Sequence, residues 1–430
     1  MKVSSNFQYR INQLLLIQKY LIYFLPITLV TGSFLPDLSI SLVAILFLYI
    51  IVIEKNWKYL LNYFSIIYFI WCFYLIVRSI FSENLFLSLE SSLFYWRFGL
   101  FSLALWYLLD NVRNFKSNIF FIFLIVFLFL SIDGFIQFVT GYNLIGYTYY
   151  TVDGQRISSM FGDEAILGNY ISRILPIIIA LFLSFKRNSR IYSFISVFFI
   201  LIGGALILIS GERTAFLYYI IFIFILMFLL TNWKNERIIL FSLLSLLLLG
   251  LLTTENSIKQ RVFLNSIVEM NLEKENSNFS FIPKNYEPIY QTTFKIIKQN
   301  PIFGIGTKMY REECNNSKYI TENGCSTHPH NTYLQLLAET GIIGFIPIFG
   351  TFLFICCLFI LHLKMQIMKK KALFNNERIV FLSALFIYFF PFIPSLNFFH
   401  NWYSIITFIP IGFCLHLFSN QMLIIKNNNK

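Results

Sequence analysis

Apolar runs of about eighteen residues recur from Leu14 to Phe418, broken by short polar connections that carry lysine and arginine. A helix rises 1.5 Å per residue, so each run is long enough to cross a hydrocarbon core of about 30 Å. The pattern predicts twelve spans, near 14–34, 38–53, 60–80, 91–109, 118–139, 166–185, 191–209, 214–231, 237–252, 341–362, 379–398 and 402–420. One polar interval is much longer than the rest, from Thr253 to Thr340. The expected organisation is therefore a membrane region over 1–252 with nine spans, a loop over 253–340 containing short helices, and a membrane region over 341–430 with three spans. The fold class is an all-α polytopic integral membrane protein.

Composition agrees. Of 430 residues 57% are hydrophobic and 13% charged, and the mean hydropathy is +0.69, which excludes a soluble globular domain. The net charge of +12 acquires meaning from its placement. Lys2, Arg10 and Lys19, then Lys55 and Lys58, Arg113 and Lys116, Lys186 to Arg190, Lys234 and Arg237, Lys364 to Arg378, and Lys426 and Lys430 fall on one side of the alternating spans. The positive-inside rule then predicts both termini cytoplasmic and the 253–340 loop outside. Basic residues beside anionic membrane lipid account for the charge without nucleic acid. The first span follows Lys2 and Arg10 like a signal anchor and lacks a small-residue cleavage site, so it is expected to stay in the mature chain.

Within the long loop, Tyr286 to Asn300 has helical spacing and Pro301 to Gly306 reads as a turn that ends it. The chain has five histidines, and two lie in Thr327-His328-Pro329-His330-Asn331. Thr327 is expected to cap a helix with Pro329 in its first turn, placing His330 and Asn331 at a helix N-terminus, where free N–H groups favour an anion. An imidazole there can serve as a general base or donate to a phosphate oxygen. The competing reading is a histidine pair that only meets interfacial water. Ser210-Gly211-Glu212-Arg213 sets charges between two apolar helices, suiting a phosphate grip by Arg213 or a local Glu212–Arg213 pair. Arg156 and Arg173, with Arg261 and Arg311, reach the same side. Together these cations suggest an anionic lipid headgroup such as a diphosphate.

Further expectations follow from single placements. Asp133 and Arg97, both inside predicted spans, are expected to pair. Cys314 and Cys325 flank ten loop residues and can form a disulfide in an oxidising compartment. Their spacing from the histidines fits no usual zinc site, and no phosphate-cradling glycine loop, HExxH or Asp-x-Asp pair in the first outer loop suggests a metal or cofactor. Gly341 and Gly344 are expected to allow close helix approach.

These residues resemble the O-antigen ligase and polymerase family of bacterial envelope glycosyltransferases. His330-Asn331 is followed by nine residues, Gly341, two residues and Gly344, which is the family pattern. Ser210 to Arg213 is similar to its outer-hairpin arginine, and Asn300 to Gly306 to its turn before the histidine. The resemblance covers about 150 to 345 in detail. It implies an inner-membrane enzyme whose loop is periplasmic and which moves a glycan from undecaprenyl diphosphate to an acceptor hydroxyl without metal or nucleotide. It also implies His330 as the essential histidine, as base or as orienter of the acceptor, Arg213 as a diphosphate contact, and a second catalytic arginine in the long loop, for which Arg311 and Arg261 both qualify and Arg311 is preferred. His328 lies outside the family pattern and, with Asn331, Arg156, Arg261 and Arg173, is a candidate substrate contact by its placement. A ligase acting on lipid A core, a polymerase joining repeat units and a protein-glycosylating enzyme all share that donor site, and ligase is the preferred reading. The reading from another class is a lipid-linked oligosaccharide transporter, which would place its charges in a mid-membrane cavity.

Overall fold

The computed structural model describes residues 5–148, 156–185, 190–253, 259–265 and 283–428. Ten helices precede the long loop: α1 (Ser5–Thr31), α2 (Phe34–Glu54), α3 (Tyr63–Ile80), α4 (Leu85–Ser92), α5 (Trp96–Asn111), α6 (Phe115–Thr140), α7 (Leu167–Phe185), α8 (Arg190–Ile209), α9 (Arg213–Leu229) and α10 (Lys234–Thr253). The loop holds α11 (Glu287–Gln299) and the short α12 (Tyr310–Glu313), and α13 (Thr332–Ile367), α14 (Asn376–Tyr388) and α15 (Asn401–Asn428) complete the chain. The described residues contain no strand. This is the expected outcome where lipid offers no partner to a backbone N–H or C=O.

Helices α5 and α7 form the centre. α5 packs on α2 and α15, while α7 packs on α6, α8, α9 and α14. Nearly every side chain of α7 is buried, including Ile174, Leu175 and Ile178. The outer helices instead present large apolar side chains such as Phe73, Ile125, Ile346 and Phe354. Apolar groups on the outside of a packed helical core mark a multi-pass membrane protein. Among the described residues, nine helices are long and apolar enough to cross a membrane.

Each predicted span overlaps a helix, but the expected count of twelve is not established by length and composition. Helix α9 has 17 residues. The eleventh predicted span, 379–398, is helical only to Tyr388 and continues as irregular backbone to His400. Pro391 and Pro394 explain the stop, since proline lacks an N–H and disfavours helix in the residue before it. The expected Asp133–Arg97 pair does not form. Arg97 meets Asp37 of α2 at 2.6 Å, whereas Asp133 accepts from the Leu144 N–H at 2.8 Å and from the Ser159 hydroxyl, tying down the connection after α6.

Helix α13 is broken at Gly341, whose backbone is left-handed at φ 62° and ψ −171°. An unbroken helix would bond the Ile342 and Ile343 N–H groups to the carbonyls of Ala338 and Glu339. Here they go to Pro301 O (3.0 Å) and Ile302 O (3.5 Å), and the Ala338 and Glu339 carbonyls take the N–H groups of Ile305 (3.0 Å) and Gly306 (2.8 Å). The 301–306 turn is thus spliced into the helix's own ladder. A Cβ on Gly341 would lie 2.1 Å from Ile302 O, and one on Gly304 2.4 Å from the Glu339 carbonyl carbon. Close helix approach, the expected role of both glycines, holds only for Gly344, where a Cβ would come within 3.2 Å of Tyr74 on α3.

Gly341→Ala should therefore destabilise by about 2 to 4 kcal/mol, combining a strained left-handed residue with an overpacked contact. Gly350→Ala, with nothing within 4 Å of its Cβ, should leave stability unchanged or raise it by up to about 1 kcal/mol. Thermal unfolding of both variants in detergent checks this, and equal midpoints would show that the break is not required.

Candidate active site

Helix α13 begins at Thr332 with Asn331 as its cap. The Asn331 Oδ1 accepts from the N–H groups of Tyr333 (3.0 Å) and Leu334 (3.1 Å), and its Nδ2 donates to Pro391 O at 2.8 Å. The expected cap, Thr327, lies outside the helix with Pro329, and its hydroxyl bonds His328 Nδ1 at 3.0 Å. Asparagine wins because it reaches the cap and the 389–400 segment together. His330 sits immediately before the cap with φ 54°, a backbone that histidine tolerates better than most side chains.

The irregular 389–400 segment is the other wall. Its Ser395 N–H donates to His330 O at 2.9 Å, its carbonyl faces His328 Nε2 at 3.2 Å, and its hydroxyl accepts from Thr332 at 2.8 Å. A carbonyl can only accept, so His328 Nε2 carries the proton and Nδ1 accepts from Thr327. Both His328 nitrogens are thereby occupied. His330 uses Nε2 on the Ser326 hydroxyl at 3.1 Å, and its ring lies 4.1 Å from that of His328 and 5.3 Å from Tyr286. Burial, with His330 adjoining, pushes the His328 imidazolium down to about 3. Burial also lowers His330 below the usual imidazole value. Both shifts favour the neutral ring, the form that a general base requires.

Arg311 lies exposed on α12, and its charge adds to the lowering of His328 after burial and His330. The Tyr310 N–H anchors α12 to the buried Glu339 carboxylate of α13 at 3.2 Å. Cys314 and Cys325 are joined as a disulfide with Cα atoms 5.0 Å apart. Closing a loop of that length is worth about 3 kcal/mol in the chain-entropy account, and it fixes the segment leading to Ser326. A cleft of about 710 Å³ lined by Glu83, Asn84, Glu312 and Glu313 includes neither Arg311 nor His330.

The hairpin 210–213 turns on Gly211 at φ 67°. Glu212 is buried and caps α7, accepting from the N–H groups of Gly168 (2.6 Å) and Asn169 (3.2 Å) and from the Asn169 amide. Arg261 is buried and donates from Nε to Gly211 O at 2.8 Å, and Arg156 donates to Ala165 O at 2.6 Å. Arg173 is 1% exposed. It bonds Asn169 and sits over the rings of Tyr218, Tyr403 and Tyr388 at 4.9, 5.2 and 5.4 Å. Arg156, Arg173 and Arg261, expected as substrate contacts, thus bond groups of the protein itself. Arg213 opens α9, whose Tyr218 hydroxyl reaches Pro394 O at 3.5 Å, next to Ser395. The 389–400 segment therefore links the arginine helix to the histidine turn.

Residues 197–349 match the family model described as O-antigen ligase. The match supports the O-antigen ligase and polymerase family for this chain, and ligase- or polymerase-type activity with it. No curated protein matches the sequence. The O-antigen ligase segment spans Arg213, Arg261, Arg311, His328, His330 and both glycines of the α13 break, and it excludes 389–400. Sequence reasoning missed Ser395, Ser326 and Glu339. The one available signal was the pair Pro391 and Pro394 inside an otherwise apolar run.

The histidines make stability depend on pH. An unfolded His328 titrates near 6.5 and the folded one near 3, so between these values the unfolded chain binds a proton that the folded chain does not. The contribution of this group should be level above about pH 6.5 and fall below it, by up to about 1.4 kcal/mol per pH unit. Unfolding midpoints from pH 7.5 to 5 check the sign. His328→Gln keeps a donor for Ser395 O and removes this titration, so the stability difference between wild type and variant should fall on acidification; a difference that grows would mean that folded His328 is charged.

Proposed function

We propose that this protein is an O-antigen ligase that transfers a glycan from undecaprenyl diphosphate to a hydroxyl of lipid A core, on the periplasmic face of the inner membrane. The observation that carries the reading is His330, held immediately before α13 with Nε2 on the Ser326 hydroxyl, against a 389–400 segment that also meets α9, the helix of Arg213. The Lys and Arg distribution supports cytoplasmic termini, and the donor and acceptor follow from the family resemblance.

In the proposed step, the acceptor hydroxyl replaces Ser326 at His330 Nε2 and gives up its proton there as its oxygen bonds the anomeric carbon. The bond from that carbon to the diphosphate breaks, and the electron pair leaves on the diphosphate. Arg213 and Arg311 stabilise the developing charge, a service worth about two to three orders of magnitude per donor in comparable sites. Direct displacement inverts the anomeric centre. The remaining arginines hold the walls in place.

A lipopolysaccharide gel of the native host tests this, comparing wild type, a deletion, and the deletion carrying His330→Ala or Arg213→Ala. His330→Ala should cut transfer by about 10²- to 10⁴-fold, leaving lipid A core bare while long glycan stays on the carrier. Core capped by one repeat unit would instead identify a polymerase. An unchanged ladder in every strain would sink the reading and return attention to protein acceptors and the transporter.

A further inference from the structure

The splice between the 301–306 turn and the α13 break is also gripped from α3. Trp71, Tyr74 and Arg78 stand at i, i+3 and i+7 and so form one stripe on that helix. Trp71 Nε1 donates to Gly344 O at 2.8 Å. The Tyr74 hydroxyl donates to Thr340 O at 2.6 Å and reaches Phe303 O at 3.3 Å. Arg78 donates from Nε to Phe303 O and Gly304 O, both at 3.1 Å, and from Nη2 to Gly304 O at 2.7 Å. The next residue, Ser79, meets Thr307 at 3.1 Å within a buried hydroxyl cluster completed by Ser88. Helix α3 lies outside the segment that matches the family model.

We propose that the Trp71–Tyr74–Arg78 stripe is the positioning device of the transfer reaction, holding the loop that carries Arg311 in register with the helix that follows His330. The inference rests on the roles given to His330 and Arg311 above. All the hydrogen-bond acceptors of the stripe are backbone carbonyls, on both sides of the splice, so it reads the path of the chain and not its side chains. Arg78 grips Gly304 seven residues before Arg311. From there the Ile305 and Gly306 N–H bonds to α13 and the Tyr310 N–H bond to Glu339 carry the constraint to α12. A planar fork on two adjacent carbonyls is a geometry that lysine does not reproduce. Misplacement of a reacting or stabilising group by about 1 Å can cost a hundredfold in rate.

The test uses the full-length protein in detergent, with undecaprenyl-diphosphate-linked glycan extracted from the host as donor and host lipid A core as acceptor. Wild type, Arg78→Met, Arg78→Lys, Tyr74→Phe and His330→Ala are compared for turnover, for donor KM, and for hydrogen exchange of the 300–311 amides. Arg78→Met should lower kcat by about ten- to a hundredfold with donor KM unchanged and faster exchange across 300–311, and Arg78→Lys should recover only part of each. Wild-type turnover in Arg78→Met, or a slow variant whose 300–311 exchange matches wild type, overturns the proposal. Should Arg78→Met not accumulate, Tyr74→Phe removes a single hydroxyl and decides the matter on the same two readings. A fully active His330→Ala would sink the reading of the site instead, and the exchange data would still decide whether α3 is the clamp.

Discussion

Four backbone hydrogen bonds between 301–306 and 338–343 set the position of everything else around His330. A helix that breaks near lipid exposes two N–H groups and two carbonyls, and leaving such groups unpaired costs several kcal/mol each. The 301–306 turn supplies two of each in return, so the break is satisfied without water. The exchange demands backbone contact that no side chain survives, which is why glycine stands at 304 and 341. It also joins the two ends of the site. His330 lies just before the start of α13, Arg311 lies just past the turn, and the splice fixes one against the other.

The charges of this region are arranged by the same need. Arg156, Arg261 and Arg78 sit on carbonyl oxygens, and Arg173 on amide oxygens and three tyrosine faces. For a guanidinium such partners replace water with fixed dipoles and ring quadrupoles. Glu212 plays the complementary part at the N-terminus of α7, where free N–H groups receive a carboxylate. Burial raises its affinity for a proton, and the charge of Arg156 together with those donors opposes the rise. The four arginines thus brace walls, while Arg311 projects from a braced loop toward solvent.

How much of this was legible from the sequence follows from the range of each interaction. Apolar runs of span length announce their helices because a lipid-embedded backbone has so few ways to satisfy itself, and the Cys314–Cys325 pairing could be anticipated from spacing and compartment. The end of α14 was lost because averaged hydropathy treats Pro391 and Pro394 as neutral in an apolar run, although they stop the helix. Thr327 and Asn331 are both competent caps, and the choice was made by Pro391 O, sixty residues away. Asp133 and Arg97 looked like partners because charge alone was considered, whereas the fold put Asp37 beside one and Ser159 beside the other. For Gly341, composition could not separate a glycine that lets helices approach from one that lets a turn enter a helix.

The two histidines show how neighbours divide roles between like side chains. His328 spends both ring nitrogens on the chain, one on Thr327 and one on Ser395. To take a proton it would have to hold a charge inside a buried pocket, and burial holds it neutral far below the ordinary imidazole range. His330 commits one nitrogen to a hydroxyl, Ser326, a partner that an acceptor hydroxyl matches in kind. Exchange of one O–H for another at Nε2 costs little and leaves the ring, the cap and the disulfide-closed loop where they were. In the proposed reaction the pocket of His328 is thereby a support for the turn, and the chemistry falls to the neighbour whose partner can be replaced.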